Sequence, residues 1–356
     1  YVMITTKDVA REAGVSYTTV SHVINKTRSV SAETKKRVED AIEKLGYCPN
    51  VLARSLRMGQ TKTVGVVTIS SSDPYFAVIL HAMQEFAWNE GYGVFVSSSD
   101  LCCPCSPDEE EHKMDNSLGD REQDAVKNMT GRETQGLILN SLQTETELMK
   151  TLDQITKPCI VFQRHIEGTK FDTFMCDDYQ GTSDAVEYLL SLGHKKIAFV
   201  KGFTYDTHSA RFRETAWREV LQKNGIQADE NYLIDARYDE QISYDETKKI
   251  LSLKNRPTAI LYSSDTMAIA GMRAAKDMGI SIPDELSVIG YDNLEVDQYT
   301  IPRLTSINQD SATLGHDMMK RLLEKIKDPT LEPVIKTYPQ KLVIRESTGN
   351  FKTNLS

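Results

Sequence analysis

Two groups of side chains in this 356-residue chain have types and spacing that could do chemistry. Near the N-terminus, Tyr17, Thr18, Ser21 and His22 fall on one face of a short predicted helix, 17–24, whose apolar face is Val20, Val23 and Ile24. All four can hydrogen-bond and none is needed for a core, which suits reading base edges in a DNA groove. The alternative is an ordinary solvated helix on a small bundle. The second group is Cys102, Cys103 and Cys105, with His112 following. These are zinc-like ligand types, but two are adjacent and the spacing matches no zinc knuckle. A surface insertion with idle thiols, running from Leu101 to about Leu118, is the expected reading, with no metal and no cofactor. A metal- or thiol-responsive role for the three cysteines is the alternative. Enzyme chemistry has no carrier, because the sequence holds no H-E-x-x-H, G-x-S-x-G, P-loop or G-x-G-x-x-G motif.

The elements around the first group are legible from local signals. Thr5 reads as an N-cap with Asp8 three residues on, and Val9, Ala10 and Ala13 follow at helical spacing. Gly14 breaks that run where a tight turn requires positive φ. Ser16 starts the second helix and Ser31 a third, with Val38, Ala41, Ile42 and Leu45 inward and Gly46 ending it. Three short helices with a glycine turn between the first two describe a helix-turn-helix. Beyond it, Pro49 stops the chain and Asn50 caps barely two helical turns, to Arg57. So short a helix is marginal in isolation and needs a partner, which DNA or a twofold mate would supply. Charge agrees: residues 1–60 carry ten Lys/Arg against six acids, while the rest carries 32 against 45. A basic head on an acidic body suits a polyanion-binding module joined to something that should not bind polyanions; chance clustering is the bland alternative.

From Thr63 the pattern alternates strand and helix, and after Asp177 it restarts. Apolar runs at 63–68, 93–96, 136–139, 159–162, 196–200, 259–262 and 286–290 read as buried strands, with helices at 74–88, 179–192, 209–224 and 266–278. Such alternation implies parallel sheets covered on both faces, and two sets imply two lobes with a ligand between them. No stretch approaches the roughly 20 apolar residues of a membrane span, and the N-terminus has no apolar signal region. The chain opens Tyr1-Val2-Met3, with Met3 the expected start and the cytoplasm the expected location. Six scattered or clustered cysteines read as reduced thiols.

Asp8-Val9-Ala10, Ala13-Gly14-Val15-Ser16, Thr19-Val20-Ser21, Val23-Ile24-Asn25 and Tyr47 through Leu56 together resemble the lactose/galactose-repressor family of bacterial regulators, and the similarity covers nearly the whole chain. The resemblance implies an all-α helix-turn-helix head and an α/β two-lobed, periplasmic-binding-protein-like core of parallel doubly wound sheets. It implies boundaries: 1–48 for the head, 49–62 for hinge helix and linker, and 63–349 for an effector-binding and dimerisation core. Within the core it assigns about 63–175 and 304–335 to the N-lobe, and about 176–303 and 336–349 to the C-lobe; 350–356 is a tail. It places Tyr17, Thr18 and His22 at base-reading positions, with His22 departing from the arginine common in relatives. It places Thr5, Ser16, Ser21, Asn25 and Ser31 at phosphates, and Asn50, Ala53 and Leu56 on the hinge helix, Leu56 as a minor-groove wedge. For an effector it implies Tyr75, Phe76, Gln163, Arg213, Tyr238, Ser264 and Asp292; Tyr75 and Phe76 have lobe core as their alternative, and Arg213 and Asp292 a mutual ion pair. The implied protein is a repressor controlled by a small molecule, a sugar or sugar derivative, acting as a homodimer on a palindromic double-stranded operator and away from membranes.

Overall fold

The computed structural model describes residues 4–25, 28–47, 61–98, 111–131, 134–141, 145–164, 169–202 and 208–351. The chain divides into two units, Tyr1–Thr61 and Lys62–Ser356. The first holds α1 (Thr6–Ala13), α2 (Tyr17–Asn25) and α3 (Ala32–Leu45). At the start of α1 it is Asp8 that closes the turn, its carboxylate accepting from the Thr5 N–H at 2.9 Å and from the Thr5 hydroxyl at 2.7 Å. Gly14 (φ 62°) and Gly46 (φ 59°) end α1 and α3 in the left-handed region, where a side chain would be strained. Val9, Ala10, Ala13, Val20, Val38 and Ala41 form the buried core of this unit. Arg37 of α3 donates to the Ala13 and Gly14 carbonyls at 2.6 and 3.1 Å, pinning the α1–α2 turn against the third helix.

The second unit contains two six-stranded sheets. The first is built from β1 (Thr63–Thr68), β2 (Gly93–Ser98), β3 (Leu137–Asn140), β4 (Cys159–Phe162), β5 (Asp172–Cys176) and β11 (Ile335–Tyr338), in the order β11-β5-β4-β3-β1-β2. The second is built from β6 (Ile197–Lys201), β7 (Leu233–Asp235), β8 (Ala259–Tyr262), β9 (Ser287–Asp292), β10 (Thr305–Asn308) and β12 (Lys341–Val343), in the order β12-β10-β9-β8-β6-β7. All pairings are parallel except β10 with β12. Helices α4 (Pro74–Asn89), α5 (Glu111–Gly131), α6 (Glu145–Asp153) and α11 (Ser311–Lys327) accompany the first sheet. Helices α7 (Asp178–Ser191), α8 (His208–Lys223), α9 (Glu240–Leu251) and α10 (Asp265–Asp277) accompany the second. The C-terminal part of the expected 101–118 insertion, from Glu111, is the start of α5.

Alternation along the central strands explains why both faces are covered. On β3, Ile138 joins α4 and α11 in one core while Leu137 and Leu139 join α5 and α6 in another. The lobe boundaries fall later than expected. β10 pairs in the second sheet and β11 in the first, so the last two crossings lie between 308 and 311 and between 338 and 341, rather than near 304 and 336. Pairing, and not the local pattern, decides which sheet a four-residue strand joins. Phe351, expected in the tail, is fastened instead: its N–H donates to the Leu192 carbonyl at 2.8 Å. Among the described residues no helix is long and apolar enough to cross a membrane.

α11 lies so close to α4 that a Cβ on Gly315 would stand 2.3 Å from the Ile79 carbonyl oxygen. Backbone cannot yield as a side chain can. Gly315→Ala should therefore destabilise the second unit by about 1–3 kcal/mol, the usual cost of overpacking, read as a lowered denaturation midpoint; an unchanged midpoint would mean that the helices are free to separate.

Candidate functional site

In each sheet the first strand sits between the second and third, so the winding reverses between β1 and β3 and between β6 and β8. Crevices open at such points, outside the carboxyl ends of the strands. Here the two crevices share one cleft of about 340 Å³. Its walls are the segments that leave the strands: Thr68–Ser70 after β1, Asn140–Ser141 after β3, Gln163 after β4, Arg237–Glu240 after β7, Ser263–Ser264 after β8, Asp292 at the end of β9 and Gln309 after β10.

Of the effector residues named from sequence, Tyr75, Gln163, Arg213, Tyr238, Ser264 and Asp292 line this cleft together. Phe76 does not. It is 2% exposed and packs in the core of the first lobe, because a helix turns successive side chains about 100° apart and Tyr75 takes the cleft side. Ser264 is also the N-cap of α10, its hydroxyl accepting from the Met267 N–H at 3.2 Å. Backbone strain marks the same place. Gln163, Arg237, Tyr238 and Asp292 are non-glycine residues with φ of 59°, 54°, 57° and 117°; such strain persists only where surrounding structure imposes it, commonly at ligand sites. Tyr238 needs Gly202 beneath it, since a Cβ there would lie 2.0 Å from the tyrosine ring.

The expected alternative, Arg213 paired with Asp292, is not what forms. The Arg213 guanidinium meets Asp178, with Nε–Oδ1 at 2.8 Å and Nη2–Oδ1 at 2.7 Å, and both side chains are about nineteen-twentieths buried. It also donates to the Ser263 carbonyl at 3.0 Å and stacks 3.6 Å from the Tyr291 ring centroid. Burial is the largest influence and opposes its charge, but Asp178, Tyr291, Tyr238 and Asp292 together outweigh it and hold its pKa well above the ordinary value. Tyr291 donates its hydroxyl to Asp178 at 3.0 Å and also contacts the Gln340 amide oxygen, while the Gln340 amide N–H reaches Asp178 at 3.1 Å and Gln309 at 3.4 Å. Asp178, Gln309 and Gln340 each sit on a different one of the three crossings between lobes, so the chain's crossings are tied to one another by side chains.

The network reaches the cleft through Gln309, which donates to Asp292 at 2.7 Å and accepts from the Tyr75 hydroxyl at 3.3 Å. Gln163 then joins the lobes, donating to the Tyr75 hydroxyl at 3.0 Å and accepting from Ser209 at 3.1 Å. Behind Asp292 lies a second pair of acids. Asp265 accepts from Ser306 at 2.6 Å and from the Leu294 N–H at 2.9 Å; burial pushes its pKa up to about 6. Asp297 is wholly buried, neither of its oxygens accepts a hydrogen bond, and Arg345 stays 3.8 Å away. Burial and then the charge of Asp265 push its pKa up to about 9. Burial, with the charges of Asp265 and Asp73, likewise raises that of Asp292.

In the first unit, Thr5, Ser16, Tyr17, Thr18 and Ser31 are exposed, and Ser21 and His22 half-buried. Asn25 is the last residue of α2. Asn50, Ala53 and Leu56, like Cys102, Cys103 and Cys105, lie outside the described residues; among the described ones, Cys159 and Cys176 are free and buried and no cluster could hold a metal. Sequence reasoning missed Asp178, Tyr291, Gln309 and Gln340. Their only local signal is the acid at a helix start in Asp177-Asp178, which reads as a cap and nothing more.

Residues 5–50 match the model of the bacterial regulatory proteins of the lacI family, and residues 186–348 that of a periplasmic binding protein-like domain. The chain is 32% identical over 348 residues to an HTH-type transcriptional repressor PurR of Photobacterium profundum, spanning 97% of this chain and 98% of that protein. It is similar to the lac repressor dimer bound to operator and the anti-inducer ONPF, with 30% identity, a TM-score of 0.82 and coverage of 97% and 99%. It is also similar to the transcriptional regulator CelR in its cellobiose complex, with 26% identity, a TM-score of 0.69 and the same coverage.

The acid pair behind the cleft predicts a pH effect. Between about pH 4 and about pH 9 the folded chain keeps a proton on Asp297 that the unfolded chain, near 3.8, releases, so stability falls as pH rises across that window. Asp297→Asn replaces the protonated acid by a neutral isostere and should flatten the fall in melting temperature between about pH 6 and about pH 8; an equally steep fall would show Asp297 to be ionised in the fold.

Proposed function

The chain belongs to the lacI family of bacterial regulatory proteins and is a DNA-binding transcriptional repressor; on that premise we propose that a small molecule held in the cleft between its two lobes controls repression. The observation that carries this is the convergence of Tyr75, Gln163, Arg213, Tyr238, Ser264 and Asp292, from both lobes, on one cleft whose backbone is strained at Gln163, Tyr238 and Asp292. The aromatic rings of Tyr75 and Tyr238 offer faces, and Asp292 an acceptor, for a compact polar ligand. The sugar expected from sequence is one of two classes in view: a solved relative is a cellobiose complex, whereas the flat rings of Tyr75 and Tyr238 suit a purine equally well.

The repressor works as a homodimer on a palindromic operator in the cytoplasm. The lac repressor was solved as an operator-bound dimer, and Tyr299 and Ile301, 72% and 96% exposed, are large apolar side chains suited to cover by a second copy. Tyr17, Thr18 and His22 read bases from α2, with Thr5, Ser16, Ser21, Asn25 and Ser31 at phosphates. Effector acts by binding one lobe arrangement better than another, which is the only way it can shift the equilibrium. Asn50, Ala53 and Leu56 complete the DNA contact as a hinge helix.

Asp292→Ala removes both acceptor oxygens. Leaving a buried donor of the ligand unmet costs about 1–3 kcal/mol, so effector identified in a thermal-shift screen of sugars, nucleosides and purine bases should bind roughly fivefold to a hundredfold more weakly. Operator affinity without effector should hold; undiminished effector affinity by calorimetry would remove Asp292 from the site. In the head, His22→Ala should lower discrimination between operator and random DNA by about 1–3 kcal/mol while leaving the salt dependence of binding nearly unchanged. A change in salt slope with specificity intact would make His22 a phosphate contact.

A further inference from the structure

The cleft is poor in available positive charge. Among the described residues its lining carries the carboxyl groups of Asp73, Asp239, Glu240 and Asp292 against the guanidiniums of Arg213 and Arg237, and no lysine. Arg213 is already occupied by Asp178 and by the Ser263 carbonyl. More telling is what the chain does with its helix starts. A helix N-terminus is a ready anion site, because its first N–H groups lack partners and its dipole favours negative charge. Helices α4, α9 and α10 all begin at the cleft, and at each the chain supplies the acceptor itself. Asp73 accepts from the Tyr75 N–H at 2.9 Å, Asp239 from the Ile242 N–H at 2.7 Å, and Ser264 from the Met267 N–H at 3.2 Å. Glu240 and Asp265 add a carboxyl group at the first position of α9 and of α10.

These acids face one another across the cleft. Asp73 belongs to the first lobe and Glu240 to the second. Asp73 still meets solvent, yet the surrounding lobes withdraw enough water, and the charge of Glu240 lies close enough, to raise its pKa. An anionic ligand would have to enter between carboxylates on both walls, and like charges brought together in a partly dry site cost several kcal/mol.

We infer that the effector carries no phosphate or carboxylate, and that it is an uncharged molecule rich in hydrogen-bond donors, hydroxyl or ring N–H, which the cleft's carboxyl and amide oxygens accept. This rests on the cleft being the effector site. It excludes sugar phosphates, nucleotides and organic acids, and it holds for either of the two ligand classes in view.

The test uses the full chain and matched pairs differing only in a phosphate: ribose and ribose 5-phosphate, glucose and glucose 6-phosphate, guanosine and its 5′-monophosphate, with free guanine, hypoxanthine and cellobiose beside them. Melting midpoint and operator affinity are read for each. Every compound that acts should be uncharged, and a phosphorylated counterpart should bind at least about tenfold more weakly. A phosphorylated member that binds as tightly as its partner overturns the inference and leaves the effector site standing. If no compound of either kind changes the midpoint or operator affinity, the effector-site reading falls and this inference with it. The double variant D73N/D239N keeps both caps, since Asn caps about as well as Asp, and should narrow the gap within an active pair; an unchanged gap overturns the electrostatic cause. Glu240→Gln, which caps nothing, repeats that comparison should the double variant melt low.

Discussion

The buried pair of Arg213 and Asp178 is the contact on which the two-lobed unit depends. Two charges taken out of water are costly, and the cost is offset only when every remaining donor and acceptor is met. Asp178 Oδ1 accepts from Arg213, Tyr291 and Gln340, and Arg213 is held by Asp178, the Ser263 carbonyl and the Tyr291 face. The pair also stands where the chain first crosses between lobes, with Gln309 and Gln340 on the other two crossings. A small change in the angle between lobes must therefore change distances within a network that tolerates little. Buried networks of this kind favour discrete arrangements over a continuum.

The cleft is attached to the same network. Asp292 and Tyr75 line it and both bond to Gln309, while Gln163 and Ser209 join the lobes at its wall. A ligand that competes for Asp292 or Tyr75 alters the hydrogen bonds of a crossing residue without touching it. This gives differential affinity for lobe arrangements a physical route, which a cleft lined only by apolar side chains would lack. Burial and the neighbouring acids Asp265 and Asp73 make Asp292 reluctant to ionise, and donors brought by a ligand would favour its charged, accepting form.

How much of this was legible varies with the range of the signal. The head was readable almost throughout, because caps, glycine turns and 3.6-residue periodicity act within a few residues: Gly14, Gly46 and Ser31 sit where the sequence put them. β1, β4 and β8, whose residues are mostly apolar, were readable to the residue. β7, β10, β11 and β12, about as short as β4 and β8 but mixing polar with apolar residues, were not, since three or four such residues show neither an apolar run nor a period. Phe76 was misassigned because a resemblance matched a dipeptide while helix geometry admits only one of its two rings to the cleft.

The sequence by itself determined the helix-turn-helix, the alternation of strand and helix and its restart after Asp177, because each rests on neighbours along the chain. It also contained the acidic balance of the second unit. Only the tertiary structure decided that Arg213 pairs with Asp178 and leaves Asp292 to Gln309, that β10 joins the second sheet and β11 the first, and that Asp73 and Glu240 face each other across one cleft. Those pairings span from 16 to 167 residues of chain. They are fixed by which strands lie side by side and by which buried charge must be met, and no local pattern of residues records either.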